Sequence, residues 1–174
     1  SRNPDADLFV TRLQLSDKNG IHQLAFIPHD IFANHIIHSM LSTPRYVARR
    51  QHFIDAGAWN PYTPTWDDWE LGIRMLLSEP HIHYIADKAR VTAVFTEESI
   101  TGSDFHSKHG SWEHTIDVAE TDIAKSQIPQ KHRLIFLLNY RRVVLAAHYR
   151  REKRPELARP LYRQAVERYR RQPL

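Results

Sequence analysis

Two adjacent aspartates open a segment whose residue spacing predicts an amphipathic helix. Asp67 and Asp68 begin this segment, and Pro80 follows it. Four of its apolar residues fall at i, i+4, i+7 and i+8 and so share one face, which predicts a helix over 67–78; they are Trp69, Ile73, Leu76 and Leu77. The helix dipole stabilises an ionised first-turn carboxylate by about 0.3–1 kcal/mol when it is exposed. Such a carboxylate can accept a proton from an attacking hydroxyl as a general base, but first-turn carboxylates also serve only to stabilise helices.

Large aromatic residues surround the aspartate pair. Trp59, Tyr62 and Trp66 lie in the Pro-containing segment before it, and Trp69 lies just after it. Aromatic faces pack against the apolar C–H side of a sugar ring, while a few polar groups fix its orientation. Trp59, Trp66 and Tyr62 are therefore candidates to line a sugar-binding surface. The alternative is ordinary core packing, which we favour for Trp69.

Histidines and arginines are the other residues able to do chemistry. The chain has 12 histidines, and the pair His106 and His109 lies in a polar segment where both could act as nitrogen ligands for a metal. The alternative is that they are solvated loop residues, because no complete ligand set accompanies them. Arg49 and Arg50 could face a diphosphate, or they could form ion pairs at the end of a strand.

Shorter elements are predicted to position these residues. The sequence Asp17-Lys18-Asn19-Gly20 has the composition of a turn. Thr65 resembles the first residue of a capping box for the 67–78 helix. A short helix is predicted over 51–56, and Gly57 is suited to end it in the left-handed conformation. The pattern further predicts strands over 8–15, 23–27, 81–86 and 90–96, an extended segment over 45–48, a helix after Pro28, a polar loop over 99–110, and helices over 134–150 and 156–170.

Composition excludes several classes of protein. The 174 residues include 41% hydrophobic and 25% charged residues, which is typical of a globular chain. There is no cysteine, which excludes disulfide scaffolds and thiolate chemistry. The sequence has neither a membrane-spanning apolar run nor a leading signal segment. These features predict a soluble, cytoplasmic protein.

Charge is divided unevenly along the chain. Residues 131–174 carry 13 Lys and Arg against 3 Asp and Glu, a net charge of +10, whereas residues 1–130 carry 11 basic and 17 acidic residues, a net charge of −6. The acidic body argues against nucleic acid as a partner. Three interpretations of the basic tail stay open: its last helix packs on the body, it contacts an anionic membrane surface peripherally, or it binds an acidic partner.

The order of residues around the aspartate pair carries a family resemblance. The two segments concerned are Arg49-Arg50-Gln51-His52-Phe53-Ile54-Asp55-Ala56-Gly57-Ala58-Trp59 and Trp66-Asp67-Asp68-Trp69-Glu70-Leu71-Gly72-Ile73-Arg74. This order resembles family 2 glycosyltransferases of the GT-A fold, in which a strand ending in Arg-Arg leads to a short helix, a Gly-aromatic turn and an acidic pair that opens a helix. The resemblance covers roughly Pro4 to Thr101, over half of the chain.

The resemblance implies inverting transfer of a sugar from a nucleotide-sugar donor to the hydroxyl of a carbohydrate or lipid-linked acceptor. Asp68 matches the position of the general base, and Asp67 would support or orient it. Trp59, Trp66 and Tyr62 would line the acceptor-binding site. Ser99 and Thr101 match a polar loop near the donor phosphates, and His106 or His109 matches a further metal ligand. A divalent metal, Mn²⁺ or Mg²⁺, is expected in the intact enzyme. The sequence lacks the Gln-x-x-Arg-Trp motif of processive synthases, which indicates a non-processive enzyme.

The sequence departs from the family pattern in two ways. Asp67 stands where Glu is usual, and the alternating strands and helices that end in a metal-binding Asp-x-Asp do not occur. Asp5-Ala6-Asp7 has that spacing but opens a strand instead of following one, so we interpret it as unrelated to metal binding. We therefore expect an acceptor-side portion of a larger enzyme, inactive as an isolated chain, with the Asp-x-Asp ligands outside this sequence.

The predicted fold class is α/β. We expect a partial GT-A-like mixed sheet with flanking helices over residues 1–129, and a basic helical hairpin over residues 130–174. Two alternative functions remain open. One is a non-catalytic binding or scaffold domain that has lost the donor half. The other is a metal-dependent hydrolase built on the histidines with Asp67 and Asp68, against which the incomplete ligand set counts.

Overall fold

The chain folds as a mixed α/β structure. A computed structural model describes residues 3–94 and 104–171. Within these residues it contains six α-helices and six strands. The strands are β1 (Leu8–Thr11), β2 (Leu13–Asp17), β3 (Gly20–Gln23), β4 (Tyr46–Ala48), β5 (Ile82–Ile85) and β6 (Val91–Val94). The helices are α1 (Ile31–His38), α2 (Arg50–Asp55), α3 (Asp67–Leu77), α4 (Ser111–Lys125), α5 (Lys131–Arg151) and α6 (Pro155–Arg171).

The strands form two small mixed sheets instead of the one predicted. The first has the order β4-β1-β5, with β1 antiparallel to β4 and parallel to β5. The second has the order β3-β2-β6, with β2 antiparallel to β3 and parallel to β6. The predicted strand over 8–15 is divided at Arg12, where the chain passes from one sheet to the other. Arg12 donates from Nε to the Ala86 carbonyl at 2.7 Å, which joins the crossing point to the end of β5.

The turn over residues 17–20 is confirmed, but the strand that follows it was placed wrongly. The Asn19 N–H donates to the Asp17 carboxylate at 2.7 Å, and Gly20 has φ +117°. This tight turn pairs Asp17 with Gly20, so the returning strand begins at once, at Gly20. It ends at Gln23, and residues 24–27 are not in a strand.

Helices α1, α3, α4 and α5 pack around one core. Helix α4 was not predicted, although its buried apolar residues follow the helical spacing i, i+4, i+7 and i+11; they are Trp112, Ile116, Ala119 and Ile123. The predicted terminal helices are confirmed as α5 and α6. The boundary predicted after residue 129 falls in the connection between α4 and α5. The core continues across it, because Leu134 and Leu138 belong to the same buried cluster as Trp69.

An ion-pair network fixes the terminal hairpin to α4. The Arg142 guanidinium of α5 is buried and donates to Glu120 at 2.5 Å and to Asp117 at 2.9 Å. Glu120 also accepts a hydrogen bond from Arg168 of α6. Burial alone would raise the pKa of Glu120, but its hydrogen bonds with Arg168 and Arg142 outweigh this and hold the pKa below its usual value. One carboxylate therefore joins three helices.

We expect Glu120→Gln to lower the free energy of unfolding by about 2 kcal/mol, because the buried Arg142 loses a charged partner while Glu120 itself is partly solvated. Since the folded-state pKa of Glu120 is depressed, this stability is present above pH 4–5 and is lost as the pH falls through the folded pKa. Urea unfolding at several pH values measures the difference between wild type and variant. Asp117→Asn is the matched control and should cost less than about 1 kcal/mol, because Asp117 is more exposed. Equal losses in the two variants would contradict the central role of Glu120.

Among residues 3–94 and 104–171, no helix combines the length and the apolar character that crossing a membrane requires.

Candidate functional site around Asp68

The aspartate pair lies at the beginning of α3, as predicted. Trp66 adopts a left-handed conformation with φ 48° and turns the chain into the helix, and Asp67 and Asp68 occupy the first turn. The predicted capping role of Thr65 is wrong. The Thr65 hydroxyl instead lies 3.3 Å from the Thr115 hydroxyl, which donates to the Thr65 carbonyl at 2.8 Å. This buried contact with α4 fixes the segment that precedes the helix.

The two carboxylates differ in environment. Asp67 is exposed, whereas Asp68 is partly buried and accepts a hydrogen bond from the Thr43 N–H at 3.2 Å. Burial raises the pKa of Asp68, and the charge of Asp67 adds to this rise; the Thr43 N–H opposes it without cancelling it. A carboxylate with a raised pKa is the stronger base once ionised, so Asp68 is better suited to proton abstraction than an exposed aspartate.

Two residues that the sequence analysis did not single out complete this environment. Tyr46 of β4 has a pKa raised to about 12 by burial and by the charges of Asp68 and Asp67. Arg141 of α5 is buried, and its pKa is lowered to about 10 by burial, so it is still cationic at neutral pH. The same Arg141 charge favours the ionised form of Asp68. Asp68 therefore has a neutral phenol and a fixed cation in its surroundings.

Arg141 is held rigidly. Its Nε donates to the Ile36 carbonyl and one terminal nitrogen donates to the Ser39 hydroxyl, each at 2.5 Å. The guanidinium carbon lies 5.0 Å from the ring centre of Trp69 and 5.4 Å from that of Trp66, within the range of a cation–π contact. The only sequence signal for Arg141 is its position in the helix predicted over 134–150.

Behind α3, a buried histidine joins α1 to the helix. His35 Nε2 donates to the Trp69 carbonyl at 2.8 Å, and Nδ1 accepts from the Leu41 N–H at 3.0 Å. The bond from the Leu41 N–H requires the neutral ring, because a protonated Nδ1 cannot accept a hydrogen bond, and burial lowers the pKa of His35 to about 3. The ring fits against Gly72, where an added Cβ would lie 2.4 Å from Nε2. Gly72 is thus required by close packing.

A second ion pair holds the loop that precedes α3. Arg74 and Glu70 pair at 2.6 Å on the helix, and Glu70 is fully buried. Arg74 also donates to the carbonyls of Ala56 and Ala58, the residues on either side of Gly57. Gly57 adopts the left-handed conformation predicted for it, with φ +85°. These bonds fix the backbone just before Trp59.

The three predicted acceptor-binding aromatics are in different environments. Tyr62 is 79% exposed and Trp59 is 43% exposed, with an edge contact to Phe53 at 6.3 Å. Trp66 is partly buried in an aromatic cluster with Trp69, Trp112 and Phe105, at ring-centre distances between 5.0 and 6.4 Å. Trp59 and Tyr62 therefore offer free aromatic surface, whereas much of Trp66 is engaged in packing.

The predicted phosphate-binding residues are dispersed. The Arg49 guanidinium donates to the carbonyls of Pro4 and Ala6 and lies 3.8 Å from the Asp7 carboxylate, which ties the amino-terminal segment to the end of β4. Arg50 is exposed at the beginning of α2. Ser99 and Thr101 lie outside the described residues.

The predicted metal ligands His106 and His109 are not in one cluster. His106 Nδ1 lies 3.0 Å from carboxylate oxygens of both Asp104 and Glu152, and these three ligand atoms lie within 4.8 Å of one another. His109 instead lies 3.8 Å from Glu113. The Glu152 carboxylate already accepts the Phe105 N–H at 2.6 Å and the His106 N–H at 2.9 Å. Its position is therefore explained by its hydrogen bonds to this 3₁₀ turn, Phe105–Lys108.

Comparison of the chain with known protein families, curated proteins and solved structures found no match in any of the three.

Proposed function

We propose that this chain provides the acceptor side of a glycosyltransferase, with Asp68 as the general base. The observation that carries the proposal is the environment of Asp68. It is a carboxylate at a helix N-terminus, partly buried, with a raised pKa and a backbone N–H that fixes one of its oxygens. This combination suits a base that takes a proton from an acceptor hydroxyl, because a raised pKa makes the ionised carboxylate a stronger base.

The proposed reaction is a single in-line displacement. The acceptor hydroxyl gives its proton to Asp68, its oxygen forms a bond to C1 of the donor sugar, and the bond between C1 and the nucleoside diphosphate breaks. Attack from the face opposite the leaving group inverts the configuration at C1. Asp67 orients Asp68 through its charge. Trp59 and Tyr62 provide the free aromatic surface on which an acceptor sugar packs. Transfer is proposed to be non-processive.

The fold supports the same proposal in outline. A strand, a short helix, a left-handed glycine, an exposed tryptophan and an acidic helix follow one another in β4, α2 and α3. We propose that the two small sheets and their helices correspond to the acceptor-side part of a GT-A fold. Partners are then a nucleotide-sugar donor and a carbohydrate or lipid-linked acceptor.

A divalent cation, Mn²⁺ or Mg²⁺, belongs to the proposal because it would neutralise the departing diphosphate. The Asp104, His106 and Glu152 cluster does not fit this role, since hydrogen bonds to the 3₁₀ turn already occupy Glu152. Asp7 of the Asp5-Ala6-Asp7 sequence accepts the His81 N–H at 2.9 Å and pairs with Arg49. We therefore assign no step to a metal held by these residues.

The test uses the protein produced from the complete reading frame, supplied with Mn²⁺, a panel of nucleotide-sugars and a panel of sugar and lipid-linked acceptors. We expect release of nucleoside diphosphate that depends on both donor and acceptor, and a product with inverted configuration by NMR. A product that retains the configuration of the donor would contradict Asp68 as a base in a single displacement. Hydrolysis of other ester substrates without sugar transfer would favour the hydrolase alternative.

We expect Trp59→Ala to raise the acceptor KM by about 5–10-fold with a smaller change in kcat, because stacking on an aromatic face contributes about 0.5–1.5 kcal/mol beyond simple burial. Initial-rate kinetics with varied acceptor measures this effect. Tyr169→Ala removes another exposed aromatic, on α6, and is the matched control. An unchanged acceptor KM in Trp59→Ala would remove Trp59 from the acceptor site.

A further inference from the structure

The two terminal helices, α5 and α6, form a groove that is open to solvent. Its volume is about 990 Å³. Val143 and Tyr162 on its walls remain 38% and 57% exposed. Small and branched apolar side chains line the groove: Val143, Ala146, Ala147, Ala158 and Val166. Small residues between larger ones leave a depression into which side chains of another helix can fit.

Basic side chains border this groove. Arg150 extends from α5, and Arg159, Arg163 and Arg170 extend from α6. In the described part of the chain none of these four guanidinium groups forms an ion pair, whereas Arg142 and Arg168 of the same hairpin both pair with Glu120. One acidic residue, Glu167, also lines the groove. The groove therefore combines apolar surface with four arginines that form no ion pair within residues 3–94 and 104–171.

The length of the groove suits a helix. It follows α6 from Pro155 to Arg170, which is about 22 Å at 1.5 Å per residue. A helix of about 15 residues spans that distance. A third helix laid between two others packs its apolar side chains into the depression at an interaxial distance of about 8–10 Å, which brings its flanking side chains beside the arginines.

A membrane surface suits the same features less well. Helices that bind lipid surfaces insert large apolar side chains that project outward. Here the apolar side chains line a concave surface, and Tyr162 is the one aromatic among the described residues that line it. The apolar area therefore matches a convex protein element better than a bilayer.

We propose that the groove between α5 and α6 binds an amphipathic helix of a partner protein that carries Asp or Glu along the flanks of its apolar face. The proposal does not depend on glycosyl transfer. Of the three interpretations of the basic tail, it selects the acidic partner for the outer face of the hairpin, while the inner face packs on the body.

The probe is a fluorescent helical peptide of about 15 residues with Leu at i, i+3, i+4 and i+7 and Glu on the flanking positions. Two control peptides replace every Glu by Lys, or every Leu by Ser. We expect a micromolar Kd by fluorescence anisotropy for the Glu peptide, at least tenfold weaker binding of both controls, and weaker binding at high salt because exposed charges are screened.

The matched variants change charge inside and outside the groove. Arg159→Glu with Arg163→Glu should weaken binding of the Glu peptide by at least tenfold, since two attractions become repulsions. Lys18→Glu with Lys88→Glu makes the same net charge change at exposed positions that do not line the groove, and it should leave the Kd within twofold. Thermal unfolding monitored by circular dichroism checks that both variants are folded.

Four outcomes would overturn the proposal. Equal affinity for the Ser-substituted peptide would identify a simple polyanion site. Salt-sensitive co-sedimentation with phosphatidylserine vesicles, without binding of the Glu peptide, would assign the groove to a membrane surface. A dimer in analytical ultracentrifugation that the Arg159 and Arg163 reversals dissociate would assign it to a second copy of this chain. No binding in any of these assays would show that the groove is not a docking surface.

Discussion

In the proposed glycosyltransferase, the Asp68→Asn variant is expected to lose turnover by about 10²–10⁴-fold, which is the contribution of a general base. The amide keeps the shape of the carboxylate, and its oxygen can still accept the Thr43 N–H, so the fold and the donor affinity should change little. What the variant loses is the ability to take a proton from the acceptor hydroxyl. Initial-rate kinetics, with donor binding measured separately, checks this expectation.

The control for this prediction is Asp67→Asn, one position earlier on the same helix turn. Asp67 is exposed, and its proposed role is to orient Asp68 through its charge, so we expect a loss of at most about tenfold. Because the pKa of Asp68 is raised, wild-type activity should decline on the acid side from a pH above the usual carboxyl range. Turnover in Asp68→Asn equal to wild type would eliminate Asp68 as the base.

The Gly72→Ala substitution is expected to lower the free energy of unfolding by about 3–5 kcal/mol. An added Cβ would lie 2.4 Å from His35 Nε2 and 3.0 Å from the Leu41 Cβ. The ring cannot move aside without losing its hydrogen bonds to the Trp69 carbonyl and the Leu41 N–H, so the cost combines overpacking with unsatisfied buried polar groups. Urea unfolding of wild type and variant measures the difference.

A double-mutant cycle with His35→Ala distinguishes a clash with His35 from a general destabilisation of α3 by any substitution at Gly72. His35→Ala alone leaves the buried Leu41 N–H without its acceptor, removes a hydrogen bond from the Trp69 carbonyl and opens a cavity, and should also cost several kcal/mol. The double variant should be more stable than the sum of the single losses predicts, because the new methyl group enters space that the ring has left. Strict additivity would contradict direct contact as the cause.

The same histidine makes the stability depend on pH. Its folded-state pKa of about 3 lies below the unfolded value of about 6.5, so the unfolded chain binds more protons between these values. Stability should therefore fall as the pH decreases from about 6.5 toward 3. His35→Ala should reduce this slope, and a slope equal to that of wild type would contradict the buried neutral state.

Local sequence patterns predicted the helix that carries Asp67 and Asp68, but not the residues that other elements bring next to Asp68. Apolar spacing correctly placed α3 and therefore the first-turn position of both aspartates, and turn composition placed Gly20 and Gly57. Thr43, Tyr46 and Arg141 were not predicted because they come from other elements, 25 residues before Asp68 for Thr43 and in α5 for Arg141. Nothing in local sequence periodicity reports which distant elements become neighbours.

The errors have similar causes. Thr65 has the side chain of a helix cap, but its hydroxyl bonds to α4, which the sequence analysis had not identified. The strand over 8–15 was predicted as one unit because its composition is uniform, whereas pairing with two different sets of partners divides it at Arg12. The prediction that Trp66 offers free surface to a sugar was incomplete, because Trp112 of α4 and Phe105 of the Phe105–Lys108 turn pack against its ring.

The position of Arg141 has a consequence for how the molecule is assembled during synthesis. Its hydrogen bond to the Ile36 carbonyl closes a separation of 105 residues, and contacts that distant along a chain form slowly. On the ribosome, α1 and α3 emerge well before α5, so the faces of Trp66 and Trp69 beneath Arg141 stay open until α5 has been made. During that interval they are exposed to the non-native association that affects incomplete chains, and arrival of α5 ends this exposure and brings the Arg141 charge to Asp68.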